Sequence, residues 1–299
     1  MYPWLSTTFS QLAQRKQNNK LHHALLLQGP QGIGKADFAK QFAGLLLCNK
    51  SVTGQRCGVC HACMLQDAGN HPDFHEVLSD KQIGVDQIRE AIKKLSGSAQ
   101  LSGAKVLIIY AAHTMTESSA NALLKTLEEP TANTYLLLLT HKAERLLPTI
   151  LSRCERIIMP IPDTMQTQTW LNSQWDKPVD AEFIQLYASS PLTLLDELQQ
   201  EHKINYEVFK AGLQDLMRQR VNPSQLAADW QEQVEKILKW LQFWLHLQVK
   251  SQPDLPETLW QLHKHAIQAV KRVRNPGVNK VLVLNQLLTD IAQLKSVKK

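Results

Sequence analysis

The run Tyr135-Leu136-Leu137-Leu138-Leu139 limits the architecture of this chain more than any other stretch. Five apolar residues without alternation read as a strand buried on both faces, and strands of that kind belong to parallel sheets covered by helices. The flanking residues agree. From Ser118 to Glu128, Leu123, Leu124 and Leu127 fall at helical spacing while Lys125, Glu128 and Glu129 take the opposite side. After the strand, a short helix beginning near Pro148 carries Ser152-Arg153-Cys154 at its far end. The expectation is an α/β fold built on a parallel sheet.

A second strand, Ala24 to Leu27, runs directly into Gly29-Pro30-Gln31-Gly32-Ile33-Gly34-Lys35, and a helix over Ala36 to Leu47 follows. Strand, glycine loop, lysine and helix form the context of a phosphate-binding loop. Gly29, Gly32 and Gly34 would let backbone N–H groups converge on phosphate oxygens, beside a helix N-terminus and the Lys35 ammonium. Ala36 departs from the pattern, which has Ser or Thr there to place a hydroxyl on Mg²⁺. A methyl group cannot ligate a metal. A glycine turn without a ligand is the other reading of the same residues.

Four of the five cysteines, Cys48, Cys57, Cys60 and Cys63, follow the spacing C-x8-C-x2-C-x2-C. Two-residue gaps turn consecutive thiolates onto one ion, and a fourth from the preceding helix closes a tetrahedron. A closed four-thiolate set is structural zinc rather than a catalytic centre. His61, His71 and His75 compete as ligands, but His61 lies between two cysteines and the others flank Pro72 in a separate loop.

The remaining chain supplies context. Tyr2-Pro3-Trp4 reads as an anchor, a helix is expected over Phe9 to Gln17, and Val85 to Leu95 is amphipathic. A polar loop should run from Ser96 to Ser102. The first twenty residues lack the basic-then-apolar order of a signal peptide, so a cytoplasmic protein is expected and metal is favoured over disulfides. The net charge of +6 is concentrated: residues 203–299 carry 15 Lys and Arg against 8 Asp and Glu. That third is helical throughout, with stripes at Val234, Ile237, Leu238, Leu241, Leu245 and at Leu284, Leu287, Leu288, Ile291, Leu294. The stripes read as core, and Trp240 and Trp244, one turn apart beside the first, are the candidate subunit contact.

Across nearly all of residues 1–202, the glycine loop, the four-cysteine insertion, Gly84-Val85-Asp86-Gln87-Ile88-Arg89 and the stretch Asn121 to Cys154 resemble the bacterial clamp-loader family of AAA+ proteins. The resemblance implies a nucleotide-binding-like domain over 1–160 with its zinc module at 48–63. A helical lid over 161–202 would follow, with helices at Thr164 to Gln174, Ala181 to Ala188 and Pro191 to Gln200. A helical collar over 203–299 would hold subunits in a ring. The run Ile157 to Pro162 would close the sheet and open the lid.

In hydrolysing members the strand equivalent to Lys105–Tyr110 leads into Asp-Glu-Ala-His, supplying a metal ligand and a base for water. Tyr110 and Ala111 hold those places here, and no Arg stands near Leu192, where such members reach the phosphate. Thr140 matches a position that senses the terminal phosphate. The resemblance therefore implies a chain that does not hydrolyse ATP·Mg and is not an enzyme on its own. Arg153 of the Ser-Arg-Cys triplet would instead serve the ATP of a neighbouring subunit. The implied partners are the gamma/tau ATPase and delta subunits of the DNA polymerase III holoenzyme, a sliding clamp and primer–template DNA. The implied process is DNA replication. Two other readings stand beside it: an active gamma/tau-type ATPase, opposed by Ala36, Tyr110 and Ala111, and a zinc-stabilised DNA-binding protein on an inherited fold, which leaves Arg153 without a purpose.

Overall fold

The computed structural model describes residues 1–51, 54–101, 103–200, 204–251, 257–273, 275 and 277–294. Ser102, where the polar loop is expected to end, lies outside them. So do Lys203, Arg274, Lys295, Lys298 and Lys299 of the basic C-terminal third. The chain divides into two units: Met1–Pro178 with Tyr187–Leu195, and Val179–Leu186 with Asp196–Lys299.

The first unit is built on five parallel strands, β1 (Ala24–Gln28), β2 (Phe74–Val77), β3 (Lys105–Ile109), β4 (Thr134–Thr140) and β5 (Glu155–Ile158), in the order β2-β3-β4-β1-β5. β4 pairs with both β1 and β3, with Leu136 opposite Ala24 and Leu107. Successive side chains of a strand point to opposite faces. Leu137 and Leu139 accordingly join one core with Leu25, Leu27, Val106 and Ile108, whereas Leu136 and Leu138 join another with Ala24, Leu26, Leu107 and Ile109. The unbroken apolar run is thus two alternating sets, each with its own helical cover. Helices α1 (Ser6–Gln17) and α2 (Lys35–Leu47) cover the first through Leu12, Phe38 and Phe42. Helix α3 (His61–Asp67) belongs to the cysteine insertion. Helices α4 (Val85–Leu95), α5 (Glu117–Glu128) and α6 (Pro148–Leu151) cover the second through Ile88, Leu123, Leu127 and Ile150.

Several boundaries differ from the sequence expectation. α1 begins at Ser6 rather than Phe9, and α5 begins at Glu117, where the Thr116 hydroxyl caps the N–H of Ser119. β5 is Glu155–Ile158, so Met159 to Pro162 lie beyond the strand. Pro160 and Pro162 have no N–H to donate to a ladder. β5 lies at the sheet edge, and Ile158 is exposed. Tyr2 and Trp4 pack into the same core as α2, and Trp170 of α7 (Thr164–Asn172) meets both rings edge-on. Helices α8 (Ala181–Tyr187) and α9 (Pro191–Gln199) complete the 163–201 region, each a residue shorter than expected.

The second unit is helical, with α10 (Tyr206–Met217), α11 (Pro223–Asp229), α12 (Val234–Ser251), α13 (Glu257–Arg272) and α14 (Lys280–Gln293). The predicted stripe on α12 is buried throughout, as are Leu284, Leu287, Leu288 and Ile291 of α14. Trp240 is a correction. It is fully buried among Phe183, Tyr206 and Phe209, so it is core and not a contact surface. No helix among the described residues is long and apolar enough to cross a membrane.

Candidate functional site

The glycine loop joins β1 to α2 at the C-terminal end of the parallel strands, where open α/β sheets bind ligands. Gly32 and Gly34 hold φ of +76° and +92°, a region that costs residues with a Cβ about 1–2 kcal/mol. Space is the second constraint. A Cβ on Gly32 would stand 2.2 Å from the Thr193 hydroxyl, and one on Gly34 2.3 Å from the Tyr2 ring. Tyr2 donates to Asp37 at 2.6 Å, Trp4 Nε1 donates to the Ile33 carbonyl at 2.9 Å, and the Leu192 N–H donates to the Gly32 carbonyl at 3.0 Å. Lys35 Nζ turns into the loop, donating to Gly29 and Pro30 carbonyls at 2.8 and 2.5 Å. Burial lowers its pKa to about 8. A cavity of about 280 Å³ lies between Gly32, Lys35, Ala36, Tyr110, Thr140 and Leu192.

The strand ends facing this cavity carry no metal ligand at the two expected places. The Tyr110 hydroxyl donates to Glu76, and the Lys40 ammonium lies 3.6 Å from the same carboxylate and over the Tyr110 ring. Burial, then the Glu76 hydrogen bond, raises the phenol pKa far above its ordinary value. Ala111 adopts a left-handed conformation (φ +44°). The Thr140 hydroxyl is occupied: it shares a hydrogen bond with His113 Nδ1 at 3.1 Å and accepts the Lys142 N–H at 3.0 Å. Burial, followed by the charges of His141, Lys142 and Arg145, lowers His113 to about 4, so the ring stays neutral at pH 7.

The sulfur atoms of Cys48, Cys57, Cys60 and Cys63 all lie within 4.8 Å of one another, with Cys48–Cys60 and Cys57–Cys63 both at 3.9 Å. Tetrahedral coordination with metal–sulfur bonds of about 2.3 Å sets sulfur–sulfur edges at roughly 3.8 Å. The four positions therefore fit a metal ion. The N–H of Cys57 donates to Cys48 Sγ and that of Cys60 to Cys57 Sγ, both at 3.3 Å, as suits thiolates. Burial opposes ionisation of Cys60, but N–H donors from Cys63 and Asn49 outweigh it and lower its pKa, whereas burial pushes the Cys63 thiol up, so the four do not ionise alike. The guanidinium of Arg56, paired with Asp67, adds positive charge near this set. His61 is exposed on α3 and His71 is buried with Nδ1 accepting the Asp73 N–H; neither belongs to the cluster. Cys154 is buried in the second core, apart from it.

Arg153 follows the single turn of α6 and is part-exposed. Its Nε donates to Glu128 Oε1 at 2.6 Å, its Nη2 pairs with the same oxygen, and its Nη1 donates to the Thr149 carbonyl at 3.0 Å and Ser152 Oγ at 3.3 Å. Sequence reasoning found the loop, the cysteines and Arg153. It read Tyr2 as part of an anchor and Glu128 as a polar helix face, but it missed Glu76 and all three pairings, whose partners lie 35, 34 and 25 residues away from Tyr2, Glu76 and Glu128 with no periodic signal to connect them.

These features define a five-stranded parallel sheet covered by helices, with a glycine loop at its strand ends and a four-cysteine cluster, followed by a mostly helical part. A DNA polymerase III gamma subunit-related protein from Thermotoga maritima shares this fold, with a TM-score of 0.59 over 95% of this chain and 99% of that one at 17% identity. The family model described as DNA polymerase III, delta subunit matches residues 4–162. DNA polymerase III subunit delta' of Pseudomonas aeruginosa is 39% identical over 77% of this chain and 71% of its own length. The Yersinia pestis subunit delta' is 37% identical over 75% and 68%. The chain belongs to the family of DNA polymerase III delta' subunits.

Proposed function

We propose that this chain is a non-hydrolysing subunit of a DNA polymerase III clamp loader that supplies Arg153 to the ATP site of a neighbouring subunit. The observation that supports this most is a contrast within one sheet. Ala36, Tyr110 and Ala111 stand where metal ligand and water base would be needed, while Arg153 is presented part-exposed at the end of α6. A planar guanidinium offers paired donors to charge developing on a transferred phosphoryl group, an effect of about 10³- to 10⁵-fold in rate. A chain without catalysis of its own can thus govern hydrolysis next door.

The same reading assigns 1–160 as the nucleotide-binding-like domain, 161–202 as a lid and 203–299 as a collar that joins gamma/tau and delta subunits. The sliding clamp and primer–template DNA are met through that complex, in the cytoplasm. The ion fitted by Cys48, Cys57, Cys60 and Cys63 is zinc, in a structural role. Gly29, Gly32, Gly34, Lys35 and Thr140 are the remains of a nucleotide site.

The test is Arg153→Ala in a loader reconstituted from full-length subunits. The variant should fold and assemble, yet lower DNA- and clamp-stimulated ATP hydrolysis in part, since other sites keep their own arginines. Arg153→Lys should rescue incompletely, because an ammonium is a point charge of different reach. Unchanged hydrolysis and clamp loading would overturn the proposal.

A further inference from the structure

Arg153 does not extend from the surface. Its Nη1 reaches back to the carbonyl of Thr149, four residues earlier, and its Nε and Nη2 converge on one oxygen of Glu128, the last residue of α5. All three guanidinium nitrogens are therefore engaged inside the chain. Four of its five N–H donors are thereby committed, so a phosphoryl group held by two of them would have to take at least one from these partners, and a carboxylate left beside it would repel it.

We propose that Glu128 is a positioning residue that holds Arg153 retracted and is exchanged for the terminal phosphate of the neighbouring nucleotide. The inference rests on the reading of Arg153 given above. The exchange swaps one anion for another, so the guanidinium is paired in both poses, while the Glu128 carboxylate, 48% exposed, is left to water. Glu128 thereby sets a threshold. The arginine leaves only for an anion that binds it more strongly than a part-exposed carboxylate, and it returns when that anion departs. Part-exposed ion pairs are modest in strength, which suits a contact that must break in every cycle.

The experiment compares wild type, Glu128→Gln, Arg153→Ala and the double variant, both as free full-length chain and in the reconstituted loader. In the free chain, hydrogen exchange at Arg153 Nε, followed by ¹⁵N NMR, should quicken severalfold in Glu128→Gln at unchanged Tm. In the loader, Glu128→Gln should raise stimulated kcat about twofold with KM for ATP unchanged, because release occurs on the way to the transition state. The double variant should match Arg153→Ala. A merely structural role would lower Tm or subunit incorporation and leave no kcat gain. Unchanged exchange at Nε overturns the latch, whatever the loader does. A lowered or unchanged kcat in Glu128→Gln, where Arg153→Ala is impaired, also overturns it. If Arg153→Ala is without effect while exchange still quickens, the retracted pairing stands and the proposed function is what fails.

Discussion

The cysteine cluster and the glycine loop both have the form of a cradle, and they keep their shape by different means. The loop is filled by its own chain: Tyr2 lies on Gly34, Thr193 on Gly32, and Lys35 donates to the loop carbonyls. Among the described residues the outer side of the cluster is more open, although Cys48 and Cys63 are buried. Gly58 has open space where a Cβ would stand, Val59 and Met64 are exposed, and four sulfurs crowd together. Packing alone can hold a glycine loop in shape, whereas four clustered thiolates repel one another unless an ion sits among them.

The comparison can be broken most directly at the cage. Cys57→Ser should lose the metal, measured by elemental analysis, and with it a contribution on the order of 10 kcal/mol to local folding. Amide exchange should rise across 54–67 while the two sheet cores stay protected. Cys154→Ser should leave metal content unchanged. Retention of stoichiometric metal by Cys57→Ser would refute the assignment.

A smaller effect separates the two cradles by packing alone. Gly32 and Gly58 share nearly the same φ, +76° and +72°, but only Gly32 has a neighbour where a Cβ would go. Gly58→Ala should cost about 1 kcal/mol of backbone strain, and Gly32→Ala up to about 3 kcal/mol. Urea midpoints at constant m-value measure both. Equal costs would mean that the loop is not braced.

Smallest of all is the effect of Lys35→Ala on ATP turnover, which should be nil in the isolated chain. Its signature lies elsewhere. Burial lowers Lys35 from 10.5 to about 8, so between those values the unfolded chain binds more protons than the folded one. Stability contributed through this group therefore rises with pH from about 8 to 10.5, and Lys35→Ala should remove that rise. Parallel pH–stability curves for the two proteins would show that Lys35 is solvated.

Elements with a local signature were legible in the sequence. Leu136 to Leu139 announced a strand covered on both faces because each residue must be apolar there. The cysteine gaps announced a four-sulfur set because thiolates must converge on one ion. What could not be read depends on pairs brought together by the fold. Tyr110 departs in the sequence from the expected acidic residue, but its bond to Glu76 needs β2 beside β3. Trp240 has the spacing of a surface aromatic, yet Phe183 and Tyr206 close over it from distant helices. Glu128 lies on the polar side of α5, and only the turn that brings α6 back reveals its partner.

Helix α2 has a mechanical consequence. Its thirteen residues make a rod about 20 Å long. Gly34 of the glycine loop caps its start, and Cys48 of the sulfur cage caps its end. A rod clamped at both ends does not swing. The loop and the sulfur cage are thus held a fixed distance apart by one helix, with Tyr2 and Thr193 packed on the loop end.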